Sequence, residues 1–194
     1  MKVVSLLGSP RKKGNSSIMA EHLTSLLAEK HGAEIKSHHL NSLDFKGCQA
    51  CFMCKTKSDK CVQKDDLAPV LEDAAGCDIL ILATPVYFGE VSAQLKGFID
   101  RTFSYLVPDY GTSNIKTRLT PGKQLVFLIS QGHPKEELFA DIFPRYDYFF
   151  KWQGFTTNYV LRACGVYDKG AVDERKDIFS ELKAIADSII DQVR

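Results

Sequence analysis

The chain predicts an open parallel α/β sheet with helices on both faces. Three observations carry the prediction. Five short apolar runs have the length of buried strands, helical patterns stand between them, and polar or glycine-bearing loops directly follow three of the runs. Open sheets of this kind bind ligands beyond the carboxyl ends of their strands, where strand order reverses.

Lys2 to Leu7, rich in Val and Leu, reads as a strand buried on both faces. Ser16 to Lys30 has helical periodicity, with Ile18, Leu23, Leu26 and Leu27 on one side and Gly32 as a stop. Glu34 to Leu40 is a more polar strand, suited to a sheet edge. Asp44 to Lys64 reads as a cysteine-bearing loop, and Asp65 and Asp66 open a short helix at its positive end. Asp78 to Ala83 is the clearest central strand. Gln94 to Leu106 reads as helix and Val107 to Pro121 as a polar loop. Gln124 to Ile129 is the fourth strand. Lys135 to Trp152 is mostly helical, with a kink expected at Pro144. Phe155 to Leu161 is the fifth strand, and Asp173 to Val193 closes as an amphipathic helix.

The 194 residues suit a single domain, 1–194, without disulfide support. A net charge of +1 gives no electrostatic case for nucleic acid or an anionic membrane. No stretch approaches the length of a membrane span, and the N-terminal apolar run is too short for a signal peptide. The expected compartment is the cytoplasm. Four of the six cysteines fall within residues 48–61, a clustering that favours metal or redox use over disulfides in a reducing compartment. Cys77 and Cys164 stand alone and read as small buried hydrophobes.

Three loops are candidate sites. Gly8 to Ser17 offers Ser9, Arg11, Asn15, Ser16 and Ser17 beside a helix N-terminus, the donors a phosphate monoester needs. It is neither a Walker loop nor G-x-G-x-x-G, since Gly8 and Gly14 are six apart, so a dinucleotide bound in the Rossmann manner is not expected. Thr84 to Ser92 carries Pro85, Val86, Tyr87, Phe88 and Gly89, an apolar and aromatic group able to flank a planar ring. Ser130 to Pro134 includes Ser130, Gly132 and His133; the histidine reads more simply as a turn residue than as a ligand contact. The blander alternatives are a serine-capped solvated turn for the first loop and a core-capping turn for the second.

Cys48, Cys51, Cys54 and Cys61 have the spacing C-x2-C-x2-C-x6-C. Three thiols at successive x2 spacing can face a common point, as in Fe–S ligation by four cysteines. Structural zinc more often uses two pairs with a longer spacer. A 4Fe-4S cluster, four reduced thiols and zinc all remain open. Lys55, Lys57, Lys60 and Lys64 read as a solvated loop surface that could also offset thiolate charge.

These loops resemble the NAD(P)H-dependent FMN reductase family of flavodoxin-like proteins. The matching residues are Gly8-Ser9-Pro10-Arg11 with Gly14-Asn15-Ser16-Ser17, then Thr84-Pro85-Val86-Tyr87 with Gly89. The segment Gly47-Cys48-Gln49-Ala50-Cys51-Phe52-Met53-Cys54, with Cys61-Val62 and Asp65-Asp66, looks like the iron-sulfur flavoprotein branch. The resemblance implies a flavodoxin-like sheet of order 2-1-3-4-5 and non-covalent FMN. Ser9, Arg11, Asn15, Ser16 and Ser17 would hold its phosphate. Pro85 to Gly89 would contact the ring system, with Ser130 and Gly132 in the third loop. The four cysteines would be cluster ligands.

The expected function is an FMN-dependent oxidoreductase in which no side chain acts as catalyst and the flavin carries the chemistry. NAD(P)H would be the donor, and a quinone, free flavin or other small molecule the acceptor. One alternative passes electrons from a ferredoxin through a cluster to FMN. A non-enzymatic flavodoxin-type carrier, and a thiol- or metal-based redox sensor without flavin, are readings of other classes. The resemblance also implies a homodimer or homotetramer, for which the aromatic stretch Tyr146 to Trp152 is a candidate contact, although a kinked core helix explains that stretch equally well.

Overall fold

Six strands form the sheet at the centre of the computed structural model, which describes residues 1–193. They are β1 (Lys2–Leu7), β2 (Glu34–His39), β3 (Ile79–Tyr87), β4 (Glu90–Val91), β5 (Lys123–Gln131) and β6 (Phe155–Cys164). The helices are α1 (Asn15–His31), α2 (Met53–Thr56), α3 (Leu67–Gly76), α4 (Ala93–Arg101), α5 (Ile142–Trp152) and α6 (Lys176–Val193). The path across the sheet is β2-β1-β3-β5-β6, all parallel, and this is the expected 2-1-3-4-5 order once β4 is set aside. The short β4 is an addition, pairing antiparallel with the end of β3.

Alternate strand residues enter two different cores, as the two-residue period of a strand requires. Leu6, Leu80, Leu82, Leu125, Phe127 and Ile129 point to one face and pack with Leu71 of α3, Phe98 of α4 and Phe150 of α5. Leu7, Ile79, Ile81, Val126 and Leu128 point to the other and pack with Leu23 and Leu27 of α1 and Leu182 of α6. Every residue of β5 is buried, so its continuous apolar run is the mark of a central strand covered twice. In β2 the largely exposed pattern fits its edge position.

Several boundaries move for local physical reasons. Helix α1 stops where Gly32 turns left-handed at φ 60° and its N–H donates to the Ala28 carbonyl at 2.9 Å. The helix expected from Lys135 begins only at Ile142, because Phe139 has φ 69° and breaks any continuous helix. Pro144 therefore lies in the first turn of α5, where a missing N–H leaves no intrahelical bond unmade, so the expected kink has no cause there. Helix α4 ends at Arg101 and tightens into a 3-10 turn over Thr102–Tyr105. The closing helix starts at Lys176, after a separate 3-10 turn over Ala171–Glu174.

The aromatic stretch divides. Tyr146 and Phe150 are core residues, whereas Tyr148 and Phe149 are about half exposed. Cys77 is buried as expected; Cys164 is only partly so. No described helix is long and apolar enough to cross a membrane.

Phe127 is fully buried and stacks on Tyr146 at a centroid distance of 5.9 Å. Phe127→Ala is expected to cost about 3–5 kcal/mol, read as a lowered urea midpoint with an unchanged slope. A loss below about 1 kcal/mol would show that this core collapses around the gap.

Candidate functional site

Strand order reverses at β1, which has β2 on one side and β3 on the other. A cleft of about 560 Å³ opens at this point, lined by residues at or just beyond the carboxyl ends of β1, β3, β5 and β6. Ser9, Arg11, Gly14 and Asn15 form one end. Pro85, Val86 and Tyr87 form a wall, with Ser130, Gly132, His133 and Pro134 beside it.

The phosphate-type end is held by close approach. A Cβ on Gly8 would lie 2.8 Å from Ser92 Oγ, so only glycine lets the chain leave β1 against the start of α4. Its N–H donates to the Ala83 carbonyl at 2.8 Å, tying the loop to β3. A Cβ on Gly14 would lie 2.6 Å from Ser9 Oγ. Gly14 is the N-cap of α1 and supplies no side-chain cap, so the first-turn N–H groups of Asn15, Ser16 and Ser17 keep their donor capacity. The hydroxyls of Ser16 and Ser17 are buried without a partner. Arg11 is exposed at the rim and makes no ion pair among the described residues. Unpaired buried donors cost about 1–3 kcal/mol each, and an anion accepting from this turn would offset that.

Asn15 is placed differently from the sequence expectation. Its Nδ2 donates to the carbonyls of Val166 at 2.9 Å and Asp168 at 2.8 Å, and its Oδ1 accepts from Val172 N–H at 3.2 Å. The side chain is spent on bracing the segment after β6 against α1, and only its backbone N–H faces the first turn. Ser16 and Ser17 do not line the cleft; they lie buried behind it.

The aromatic loop is a hairpin. Val86 pairs with Val91 and Tyr87 with Glu90, leaving Phe88 and Gly89 as a two-residue turn with φ 50° and 84°. Two positive φ values match the right-handed twist of a tight hairpin. Phe88 at its tip is fully exposed, and neither it nor Gly89 lines the cleft. The hairpin is fastened at Glu90, which accepts from Tyr146 Oη at 3.0 Å and pairs with Arg145 at 3.0 Å. Burial, then Glu90, raises the Tyr146 hydroxyl well above its usual range, so it stays a donor. Strand β5 runs on to Gln131, so Ser130 belongs to the strand and the loop begins after it. His133 is the turn residue expected: its Nδ1 accepts from Lys135 N–H at 3.1 Å, and the residue also lines the cleft.

Val166, Tyr167 and Lys169 complete the cleft and were not foreseen. They follow β6, and the rule that ligands sit beyond strand carboxyl ends would have included them. A Cβ on Gly132 would lie 2.8 Å from the Tyr167 ring, so a larger residue there would push that exposed side chain aside.

A second cavity, of about 110 Å³, is lined by all four clustered cysteines. It shares no lining residue with the cleft. Cys48 and Cys51 are exposed, Cys54 and Cys61 partly buried. Positive φ at Ala50 and Phe52 turns the chain on either side of Cys51. Among the described residues no three Cys, His, Asp or Glu side chains converge on one ion position. Burial pushes the Cys54 thiol up; Lys55 pulls it down, and Cys61 and Cys51 add to the rise. Lys55 is not the solvated residue expected. Its Nζ donates to the carbonyls of Phe103 and Leu106, both at 2.6 Å, and lies 4.1 Å from the Phe103 ring centre. Lys60, by contrast, makes an exposed pair with Glu72.

The sequence reading also missed Arg101, in the wall of this cavity. Its side chain is fully buried. Nη1 donates to both Asp65 oxygens, at 2.7 and 2.5 Å, and to the Lys46 carbonyl at 3.3 Å; Nη2 donates to the Gln63 carbonyl at 3.3 Å. Nε is buried with no partner. Burial would raise the Asp65 carboxyl, but Arg101 and the N–H groups of Lys46 and Leu67 outweigh it, and the group lies below the usual carboxylate value. Breaking such a buried pair typically costs about 3–5 kcal/mol. The signal was available: Leu95, Phe98 and Arg101 recur every three residues and are all buried, placing a cation on an apolar helix face.

The family model described as NADPH-dependent FMN reductase matches residues 1–133. An iron-sulfur flavoprotein from Archaeoglobus fulgidus is 42% identical over 105 residues, 54% of this chain and 47% of that protein. One from Methanocaldococcus jannaschii is 39% identical over 102 residues, 53% of this chain and 52% of that protein. The chain thus spans about half the length of the curated relatives it matches. The fold is that of an FMN-dependent NADH-azoreductase from Bacillus anthracis in complex with FMN, at a TM-score of 0.74 with 12% identity, covering 97% of this chain and 99% of that one. It is equally that of an NAD(P)H:quinone oxidoreductase from Methanothermobacter marburgensis, at 0.73 with 21% identity, covering 96% and 94%. With the family match extending from the first strand through the first two loops and into the third, as far as His133, the chain belongs to the NADPH-dependent FMN reductase family.

Proposed function

We propose that this chain is an FMN-dependent oxidoreductase that takes reducing equivalents from NAD(P)H and delivers them to a quinone, a flavin or another small acceptor. The observation that carries the reading is the cleft at the strand-order reversal, where a turn of unpaired donors meets an apolar wall. The residues fit FMN. Ser9, Arg11 and the N–H groups of Asn15, Ser16 and Ser17 would hold a phosphate monoester, while Pro85, Val86 and Tyr87, with Ser130 and Gly132, would flank a planar ring system. Phe88 and Gly89 act by closing the hairpin that sets this wall. Bound FMN supplies an electron-accepting ring; the protein supplies position, charge and partial exclusion of water. Tyr87 is about two-fifths exposed, which leaves one side of the wall open to a second planar ligand such as a nicotinamide.

A second reading adds a 4Fe-4S cluster, with ferredoxin as the donor. Four thiols around one cavity favour it. A single zinc ion needs its sulfurs within about 2.3 Å of one point. A cubane cluster instead spreads its four cysteine ligands around a body. The cysteine pocket would hold this group through Cys48, Cys51, Cys54 and Cys61. We also propose a homodimer or homotetramer, with the exposed Tyr148 and Phe149 as contact candidates.

Three outcomes are expected. The protein binds FMN more tightly than riboflavin, and Arg11→Ala weakens FMN by about 1.5–3 kcal/mol in a fluorescence titration, as for hydrogen bonds to charged groups. Equal affinity for FMN and riboflavin would sink the phosphate assignment. In anaerobic stopped-flow, NADH or NADPH bleaches bound FMN; bleaching by reduced ferredoxin alone would favour the second reading. Anaerobic reconstitution with iron and sulfide yields about four of each per chain, with loss of the added absorption in Cys51→Ser while FMN stays bound. An iron-free wild-type protein after that treatment would leave the thiols unligated.

A further inference from the structure

The cysteine loop is closed at its base by paired contacts. Asp44 N–H donates to the Asp66 carboxylate at 2.8 Å, Lys46 N–H to Asp65 at 3.2 Å, and Gln63 Nε2 to the Gly47 carbonyl at 3.3 Å. This base packs against α4: a Cβ on Gly97 would lie 3.0 Å from the Phe45 ring and in ordinary van der Waals contact, at 3.9 Å, with the Gly47 Cα. Arg101 stands at the centre of that contact. One guanidinium grips Lys46 on the entering strand of the loop and Gln63 and Asp65 on the leaving one. Its Asp65 partner neutralises it overall, yet the Nε–H is left buried and unpaired in a side chain that lines the thiol cavity. An interior cation with one unused donor is unfavourable unless something electron-rich faces it.

We propose that Arg101 is a positioning residue for the occupant of the cysteine pocket. Through Asp65 it holds both ends of the loop in register, and through its charge and free Nε–H it stabilises a negatively charged thiolate-bound group. The inference rests on the cluster reading above and adds to it a residue far from the cysteines in sequence. A one-electron reduction adds negative charge to the cluster, so a nearby cation favours the reduced form and a nearby anion opposes it. Cluster potentials respond to net charge and to hydrogen bonds at sulfur. Arg101 and Asp65 should therefore shift the potential in opposite directions, although they make one ion pair.

The test uses the full chain, FMN-bound and reconstituted anaerobically with ferrous iron and sulfide. The cluster midpoint potential is read by redox titration with electron paramagnetic resonance, which separates the cluster from the flavin. Arg101→Met is expected to move the midpoint negative and Asp65→Asn to move it positive, with iron content unchanged. Arg101→Lys should recover most of the Arg101→Met shift. Loaded variants with no shift, or with shifts of the same sign, would mark Arg101 as a structural brace and overturn the proposal while leaving the cluster reading intact. If Arg101→Met retains FMN and its melting temperature but takes up no iron, loading of Arg101→Lys supports the proposal and failure to load overturns it. If Arg101→Met does not fold, the sign of the Asp65→Asn shift decides. A wild-type protein that takes up no iron removes the premise, and the proposal falls with it.

Discussion

Strand β1 has a parallel neighbour on each side, and the chain reaches those neighbours over opposite faces of the sheet. Helix α1 leads from β1 to β2 on one face, and α3 leads from β2 to β3 on the other. Two crossovers that diverge this way cannot close over the carboxyl ends of β1 and β3, so a crevice is left there. The glycine-bearing turn into α1 and the hairpin at the end of β3 both open onto it. Gly8, hydrogen-bonded to Ala83 and pressed against Ser92, is the point where these two elements touch. The cleft therefore follows from topology first and from its lining side chains second.

Around that crevice the protein divides labour between backbone and side chains. Asn15 secures the segment after β6, Glu90 secures the hairpin to α5, and Gln131 secures the third loop by donating to the carbonyls of His133 and Lys135. Each of these polar side chains is used to fix a loop, while the first-turn N–H groups of α1 keep capacity for a ligand. Such a division suits an anion site, because backbone donors held by a helix need little reorganisation on binding. It also places flexibility of contact at Arg11 and Tyr87, which sit at the open rim.

The cysteine loop depends on a different device. It has almost no regular structure, only the four-residue α2, and few deeply buried apolar residues of its own. Its order comes from polar anchors: Arg101 to Asp65, Arg118 to the Cys54 carbonyl at 2.9 Å, and Lys55 to Phe103 and Leu106. Three cations with their heads directed at carbonyls and one carboxylate make a positively charged frame around four thiols. This frame is separate from the flavin-type cleft in its lining residues, so the two sites can be altered one at a time.

Much of this was legible in the sequence because parallel strands buried on both faces announce themselves as continuous apolar runs, as Asp78 to Ala83 and Gln124 to Ile129 do. The loop after each strong strand could then be read as a site, and the cysteine spacing placed four thiols on one loop. Local pattern failed where a distant contact set the outcome. Pro144 could not announce that its helix would begin only two residues before it, since that start depends on the left-handed Phe139. The Asn15 amide was read as a free donor because the partners that occupy it, at 166, 168 and 172, lie more than 150 positions away. Phe88 was read as a ring contact because composition cannot say that a two-residue turn will carry it out of the cleft. The sequence by itself determined the sheet, the strand ends that carry sites and the chemistry available at each. Only the tertiary structure decided which donors were already spent and which, like Arg101 Nε and the Ser16 and Ser17 hydroxyls, were left buried and unpaired, because hydrogen-bond satisfaction is settled by what the fold brings within about 3 Å.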